Sequence, residues 1–188
     1  HKGEPGLPID IVKPPKRHSL APAKQRILDT ADKLFYDDGI RAVGIDRLIS
    51  TSSVTKATFY KHYGSKDRLI LEYIAYRHLQ VAEVLERAAQ ATDEPEQLLR
   101  DIARIQVQFI ALPEFRGCPF LNAAIEYTDP AHPVRRAIED HREWFHDILE
   151  TLLRSVGHPL PGDAADDLVL ARDGAMLGGY AGDTIAAS

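Results

Sequence analysis

The chain has 188 residues, 44% of them hydrophobic and 27% charged, a composition that can bury a core and excludes a disordered chain. Its one cysteine, Cys118, excludes an intramolecular disulfide and makes the cytoplasm the expected compartment. The net charge of −5 divides unevenly: residues 1–66 hold 12 Lys and Arg against 7 Asp and Glu, net +5, and the remainder holds 11 against 21, net −10. That asymmetry is expected of a basic module that meets an anion and an acidic body that does not.

No apolar run approaches the roughly 18 residues of a membrane span, so no membrane partner is expected. The opening "HKGEPGLPIDIVKPP" has no apolar signal-peptide core, and His1 in place of Met reads as a trimmed start. Residues 1–20, with "KPPKR", read as an irregular basic arm. Pro22 then suits a first helical turn, with Ile27, Ala31, Leu34 and Phe35 on one face and Gly39 as the stop. A short second helix follows Gly44, with Asp46 near its positive end. The turn-forming "TSSVTK" leads into another short helix ending at Tyr63–Gly64, and Ser65 caps a long helix after it.

Further helices are expected from Pro95 towards Pro113, across "GCPFLNAAIEY" with Pro119 in its first turn, along the stripe from Val134 to Val156, and through "DAADDLVLARDGAMLGGYAGD". Alternating strand patterns are absent. The fold class is therefore all-α: an N-terminal three-helix helix-turn-helix domain over 21–66, joined by the long helix to a C-terminal helical domain over 67–188.

Two short helices joined by a tight turn and backed by a third are the parts of a helix-turn-helix. In residues 55–63, Phe59 and Tyr63 lie four apart and can pack inward with Val54. Lys56 and Tyr60, and Ala57 and Lys61, are likewise four apart and form an outward ridge with no acid in it. Thr55 can cap the helix where backbone N–H groups also favour phosphate. Ala57 permits close approach, and Lys56 can reach a guanine edge. Thr58, Tyr60, Lys61 and His62 can donate to phosphate oxygens, and Lys66, in the first turn of the next helix, can clamp a neighbouring phosphate.

The stretch "RILDTADKLFYDDGIRAVGIDRLISTSSVTKATFYKHYGSKDRLI", residues 26–70, resembles the DNA-binding domain of TetR-type transcriptional regulators, most specifically in "KATFYKHYGSKDRL". The resemblance implies base-proximal positions at Lys56, Ala57 and Tyr60, and phosphate-contacting ones at Thr55, Thr58, Lys61, His62 and Lys66. Two residues depart from its pattern. Gly44 stands where many relatives carry a capping Thr or Ser, and Ser53 stands where many carry Gly, at a position that calls for positive φ.

For the C-terminal half the resemblance implies a helical domain that dimerises through its last two long helices and encloses a small-molecule pocket. Gly174, Gly178 and Gly182 recur every four residues, as expected of a close helix crossing, and Leu149 and Leu152 are further dimerisation candidates. Pocket candidates are aromatic and apolar side chains with a few polar groups among them. The first group is Phe109, Phe115, Phe120, Asn122, Glu126 and Tyr127; the second is Trp144, Phe145, Ile148, Met176 and Tyr180. Asn122 and Glu126 are four apart on a short apolar helix and, if buried, need partners.

Cys118 stands at an expected helix N-terminus, where a thiolate would be stabilised, although a buried cysteine also serves as a small hydrophobe. His132, His141, His146 and His158 share no ligand spacing, so no metal and no cofactor are expected. A helical enzyme pairing Cys118 with a histidine would lack a nucleophile elbow, a phosphate loop and a carboxylate pair, and no enzyme is expected. The expected function is a homodimeric repressor that binds a palindromic double-stranded DNA operator and is released by a small-molecule effector. The alternative is a dimeric regulator without an effector.

Overall fold

The computed structural model describes residues 19–182. The basic arm of residues 1–20 lies, except for its last two residues, outside the described residues. Among those described there are eight helices and no strand: α1 (Pro22–Asp38), α2 (Ile45–Ser52), α3 (Lys56–His62), α4 (Lys66–Gln90), α5 (Pro95–Ile110), α6 (Pro119–Ile125), α7 (Pro133–Ser155) and α8 (Pro161–Tyr180). The all-α expectation holds, and five of the helices begin on a proline at a position where a missing N–H leaves no bond unmade.

The chain divides into two compact units that do not follow chain order. One comprises residues 19–78 together with Pro119–Glu139, so α6 and the first turns of α7 belong with the three N-terminal helices. The other comprises Leu79–Cys118 and residues 140–182. Helix α4 contributes its first half to one and its second half, from Leu79, to the other.

In the N-terminal unit, α1 buries Ile27, Leu28, Ala31, Leu34 and Phe35, the face that its spacing anticipates. Phe35 meets Tyr73 of α4 edge to face at 5.4 Å. Arg77 of α4 stacks over Tyr36 at 4.5 Å and stands 2.6 Å from the Asp32 carboxylate. Burial pushes the Asp32 pKa up, against the pull of the Arg77 charge.

The second unit has its own core. Leu85 and Ala89 of α4, Leu98 and Ile102 of α5, and Phe145, Ile148 and Leu152 of α7 pack together with Ala165 of α8. Leu149 and Leu152, expected at a dimer interface, are 4% and 2% exposed inside this core. Their apolar surface is already buried within the protomer, which corrects that assignment. Gly182 is corrected too: α8 ends at Tyr180, and Gly182 follows it with φ +97°, so only Gly174 and Gly178 of the expected triplet lie in the helix.

Both departures in the α2–α3 region have a structural reading. Gly44 precedes α2 in an extended conformation, caps it with no side chain, and leaves open space where a Cβ would stand. Ser53 closes α2 in the left-handed region, φ 54° and ψ 44°, as the family resemblance implies, and its N–H donates to the Ser50 carbonyl at 3.3 Å. It is the one positive-φ residue other than glycine among those described. The left-handed conformation costs an L-residue about 1–2 kcal/mol, and glycine gives back roughly 0.5–1 kcal/mol of that in chain entropy. Ser53→Gly should therefore stabilise the protein by about 0.5–1 kcal/mol, read as a higher urea midpoint at unchanged slope. A midpoint that stays put or falls would show that the serine is unstrained there.

Candidate nucleic-acid interface

The turn between α2 and α3 is built from its own side chains. Thr55 accepts a hydrogen bond from the Thr58 N–H at 3.1 Å, with the Thr58 hydroxyl 2.9 Å away, and so caps α3. Ser52 is buried and donates to the Leu48 carbonyl at 2.6 Å, which satisfies its hydroxyl inside the turn. The Val54 N–H reaches the Ile49 carbonyl at 3.3 Å.

Helix α3 then divides into two faces. Phe59 is fully buried and Tyr63 nearly so, with ring centroids 6.3 Å apart. The Tyr63 hydroxyl donates to the Lys24 carbonyl of α1 at 3.0 Å, and burial pushes its pKa up, which keeps it a donor. Lys56, Ala57, Tyr60 and Lys61 are exposed on the other face, and Thr58 and His62 are half-buried at its margin. The ring of Tyr60 rests edge-on against Phe59 at 5.4 Å, so its body is fixed while its hydroxyl end is free to reach outward. The ridge read from spacing is thus one contiguous surface, without a carboxylate on the helix.

Lys66 is placed differently. Its ammonium donates to the Ile40 carbonyl at 2.7 Å, in the turn between α1 and α2. Burial draws its pKa down, opposed by the charges of Glu126 and Asp67. On the other side of the same peptide, the Glu126 carboxylate accepts from the Ile40 N–H at 2.8 Å and the Arg41 N–H at 2.9 Å. The carboxylate also lies within 4 Å of the Cβ position of Gly39, whose φ of +91° brings both amides into line. A glutamate from the end of α6, with Lys66, therefore clamps the turn that delivers α2. Spacing within the sequence does not show this, because a backbone amide has no residue signature.

The other pocket candidates are dispersed. Phe120, Asn122, Glu126 and Tyr127 belong to the N-terminal unit, and Phe109, Trp144, Phe145, Ile148, Met176 and Tyr180 to the second. Asn122 is exposed rather than buried. Tyr127 packs against the His132 ring at 4.5 Å, Phe109 against Phe115 at 5.2 Å, and Trp144 against His141 at 5.6 Å. Phe120, Ile148 and Met176 are buried, and Tyr180 is exposed under the Arg116 guanidinium at 5.3 Å.

The second unit contains a cavity of about 570 Å³ between α5, α7 and α8. Phe145, one of the pocket candidates, lines it together with Leu149 and residues that the sequence did not single out: Ile102, Gln106, Leu168 and Arg172. The residues from α8 recur at helical spacing, 168, 171, 172 and 175. On another face of α8, Leu170 and Leu177 are 67% and 71% exposed, and Gly174 between them has open space around it. Among the described residues, His146, Asp147 and Glu150 hold ligand-capable atoms within 4.8 Å of one another, and the imidazole Nε2 stands 2.8 Å from the Asp166 carboxylate of α8. No described helix is long and apolar enough to cross a membrane.

Residues 27–73 match the family described as bacterial regulatory proteins, tetR family. A TetR-family transcriptional regulator from Streptomyces coelicolor, SCO4454, has a crystal structure that is 43% identical in sequence, with a TM-score of 0.84 over 87% of this chain and 86% of its own. A putative TetR-type regulator from Streptomyces avermitilis, sav143, is 28% identical, with a TM-score of 0.75 over 87% and 88% of the two chains. In sequence, the HTH-type transcriptional regulator LmrA of Bacillus subtilis is 27% identical over 145 residues, which are 74% of this chain and 75% of LmrA.

The clamp on the α1–α2 turn has a measurable weight. Glu126→Ala leaves the Ile40 and Arg41 amides without their acceptor, and hydrogen bonds to a charged group each contribute about 1.5–3 kcal/mol. Chemical denaturation should show a loss of about 3 kcal/mol or more for Glu126→Ala and a smaller loss for Glu126→Gln, whose single carbonyl oxygen still serves one amide. Equal, negligible losses in both variants would show that the clamp is dispensable.

Proposed function

This chain belongs to the TetR family and is a DNA-binding transcriptional regulator, and on that premise we propose that it acts as a homodimeric repressor that a small-molecule effector releases from a palindromic operator. The observation that carries the DNA half of this reading is the exposed ridge of α3, held outward by the burial of Phe59 and Tyr63. Lys56, Ala57 and Tyr60 face bases in the major groove, and Thr55, Thr58, Lys61 and His62 take phosphate oxygens. Lys66 belongs to the same surface by position, but its ammonium also holds the Ile40 carbonyl, so its substitution would disturb the fold and the DNA contact together.

Dimerisation is supported by α8. The stripe of Leu170, Gly174 and Leu177 leaves apolar surface and a helix backbone open to a second helix. Two protomers paired there would present two α3 helices to half-sites of a symmetric operator. The effector half rests on the cavity, whose volume of about 570 Å³ suits a small molecule. Its α8 lining and the exposed stripe are two faces of one helix, so a ligand that fits one arrangement of α8 better than another would bias the pairing of protomers. The shift can be no larger than that difference in affinity.

Fluorescence anisotropy with DNA from upstream of the regulated gene, titrated over a salt series against unrelated competitor duplex, tests the DNA reading. The specific duplex should bind at least about 1,000-fold more tightly than the competitor. Lys61→Ala should weaken binding to both duplexes alike and reduce the slope of log K against log salt by about one unit. Equal binding of every duplex, or an unchanged slope in the variant, would remove α3 as the DNA-contacting element.

A further inference from the structure

We infer that the cavity between α5, α7 and α8 takes an amphipathic monoanion, with its acidic group paired to Arg172 and its apolar body against the cavity wall. The inference rests on the reading of this cavity as the effector site and adds the chemical class of the effector.

The wall is mostly apolar, with Ile102 and Ile110 from α5, Phe145 and Leu149 from α7 and Leu168 from α8. Two of its residues are cationic. Arg100 is exposed and paired with Glu96 at 2.5 Å across one helical turn, so water and a partner both screen its charge. Arg172 is in a different position, with its side chain only 12% exposed and its guanidinium 5.2 Å from the centre of the Phe145 ring.

The counter-charge near Arg172 is already committed. Asp173 receives Arg142 on both oxygens, at 3.2 and 2.6 Å, and that bond holds the Arg142 pKa up. Arg172 reaches only one oxygen of the same carboxylate, at 3.2 Å. Its other contact is the Cys118 sulfur, at 3.8 and 3.9 Å, a weak acceptor. The Arg172 Nε is buried and has no hydrogen-bond partner. Two guanidiniums thus share one carboxylate, and the one that lines the cavity is left with a half-shared counter-charge.

A cation withdrawn from water with half a partner is costly, and a single anion added at the exposed edge of the guanidinium relieves that cost. A neutral ligand leaves the charge as it is, and a cationic one adds repulsion. One surplus guanidinium calls for one negative charge, and a second would be desolvated with nothing to meet it. The aromatic wall at Phe145 and the cavity volume suit a body of about two fused rings.

Isothermal titration of the full chain with three probes of one shape, 2-naphthoate, 2-naphthamide and 2-naphthylmethylammonium, decides the question. The carboxylate should bind at least about tenfold more tightly than the amide, as expected of a charge-assisted contact, and the ammonium should bind most weakly. In Arg172→Gln, with an unchanged far-ultraviolet circular dichroism spectrum, the carboxylate should fall to within about threefold of the amide while the amide keeps its affinity. If that variant fails to fold, the ranking of the three probes on the natural chain still decides.

Equal binding of amide and carboxylate, a preference for the ammonium, no binding of any probe up to millimolar concentration, or a preference that survives in Arg172→Gln would each overturn the inference. Carboxylate binding with the expected ranking that leaves the protein on its operator would uphold the anion site and overturn the effector reading instead.

Discussion

A helix of seven residues does not hold itself together in water, so α3 exists as a helix only because the unit around it pins one face. Phe59 and Tyr63 supply that pin: both are buried, and the Tyr63 hydroxyl reaches back to the Lys24 carbonyl of α1. Everything else about the interface follows from this constraint. With residues 59 and 63 inward, the helical period sends 56, 57, 60 and 61 outward, and the Thr55 cap fixes where the period begins. The exposed ridge is therefore the reverse side of a packing solution.

The same unit must also fix the approach of α2, and it does so through backbone rather than side-chain packing. The turn after α1 is too short to satisfy its own amides, and Glu126 meets two of them while Lys66 meets the carbonyl between. An acid 85 and 86 residues further along the chain is thereby made part of the helix-turn-helix unit. This explains why residues 119–139 group with the N-terminal helices and not with their neighbours in sequence. In α8 a comparable economy appears: one face lines the cavity, another leaves Leu170 and Leu177 open, and Ala165 and Met176 are buried.

What was legible in the sequence was local. The α3 ridge, the Thr55 cap and the glycine stop after α1 all depend on residues within about one helical turn of each other, and side-chain type carries that information, whereas the positive φ at Ser53 is legible only through the family resemblance. The clamp was not legible because its partners are peptide groups, which every residue possesses. Asn122 and Glu126 show the difference: both look like pocket polar groups by spacing, yet one is exposed and the other serves a distant backbone. The cavity was only partly legible, since Phe145 was anticipated but Arg172 reads in sequence as an ordinary charged helix residue. Its significance depends on how Asp173 is shared with Arg142, a fact of three dimensions. Gly182 failed for a simpler reason, because a four-residue repeat continues past the point at which the helix itself stops.

The proposed DNA contact puts α3 in the major groove with Lys56 at a guanine edge. Methylation protection with dimethyl sulfate probes guanine N7 in that groove directly. On upstream DNA, the protein should protect guanines in two patches whose centres lie about 10 base pairs, or a multiple of one turn, apart, and Lys56→Ala should lift protection at matching positions in both. Protection that is absent from the major groove, or that is unchanged in Lys56→Ala, would contradict the account.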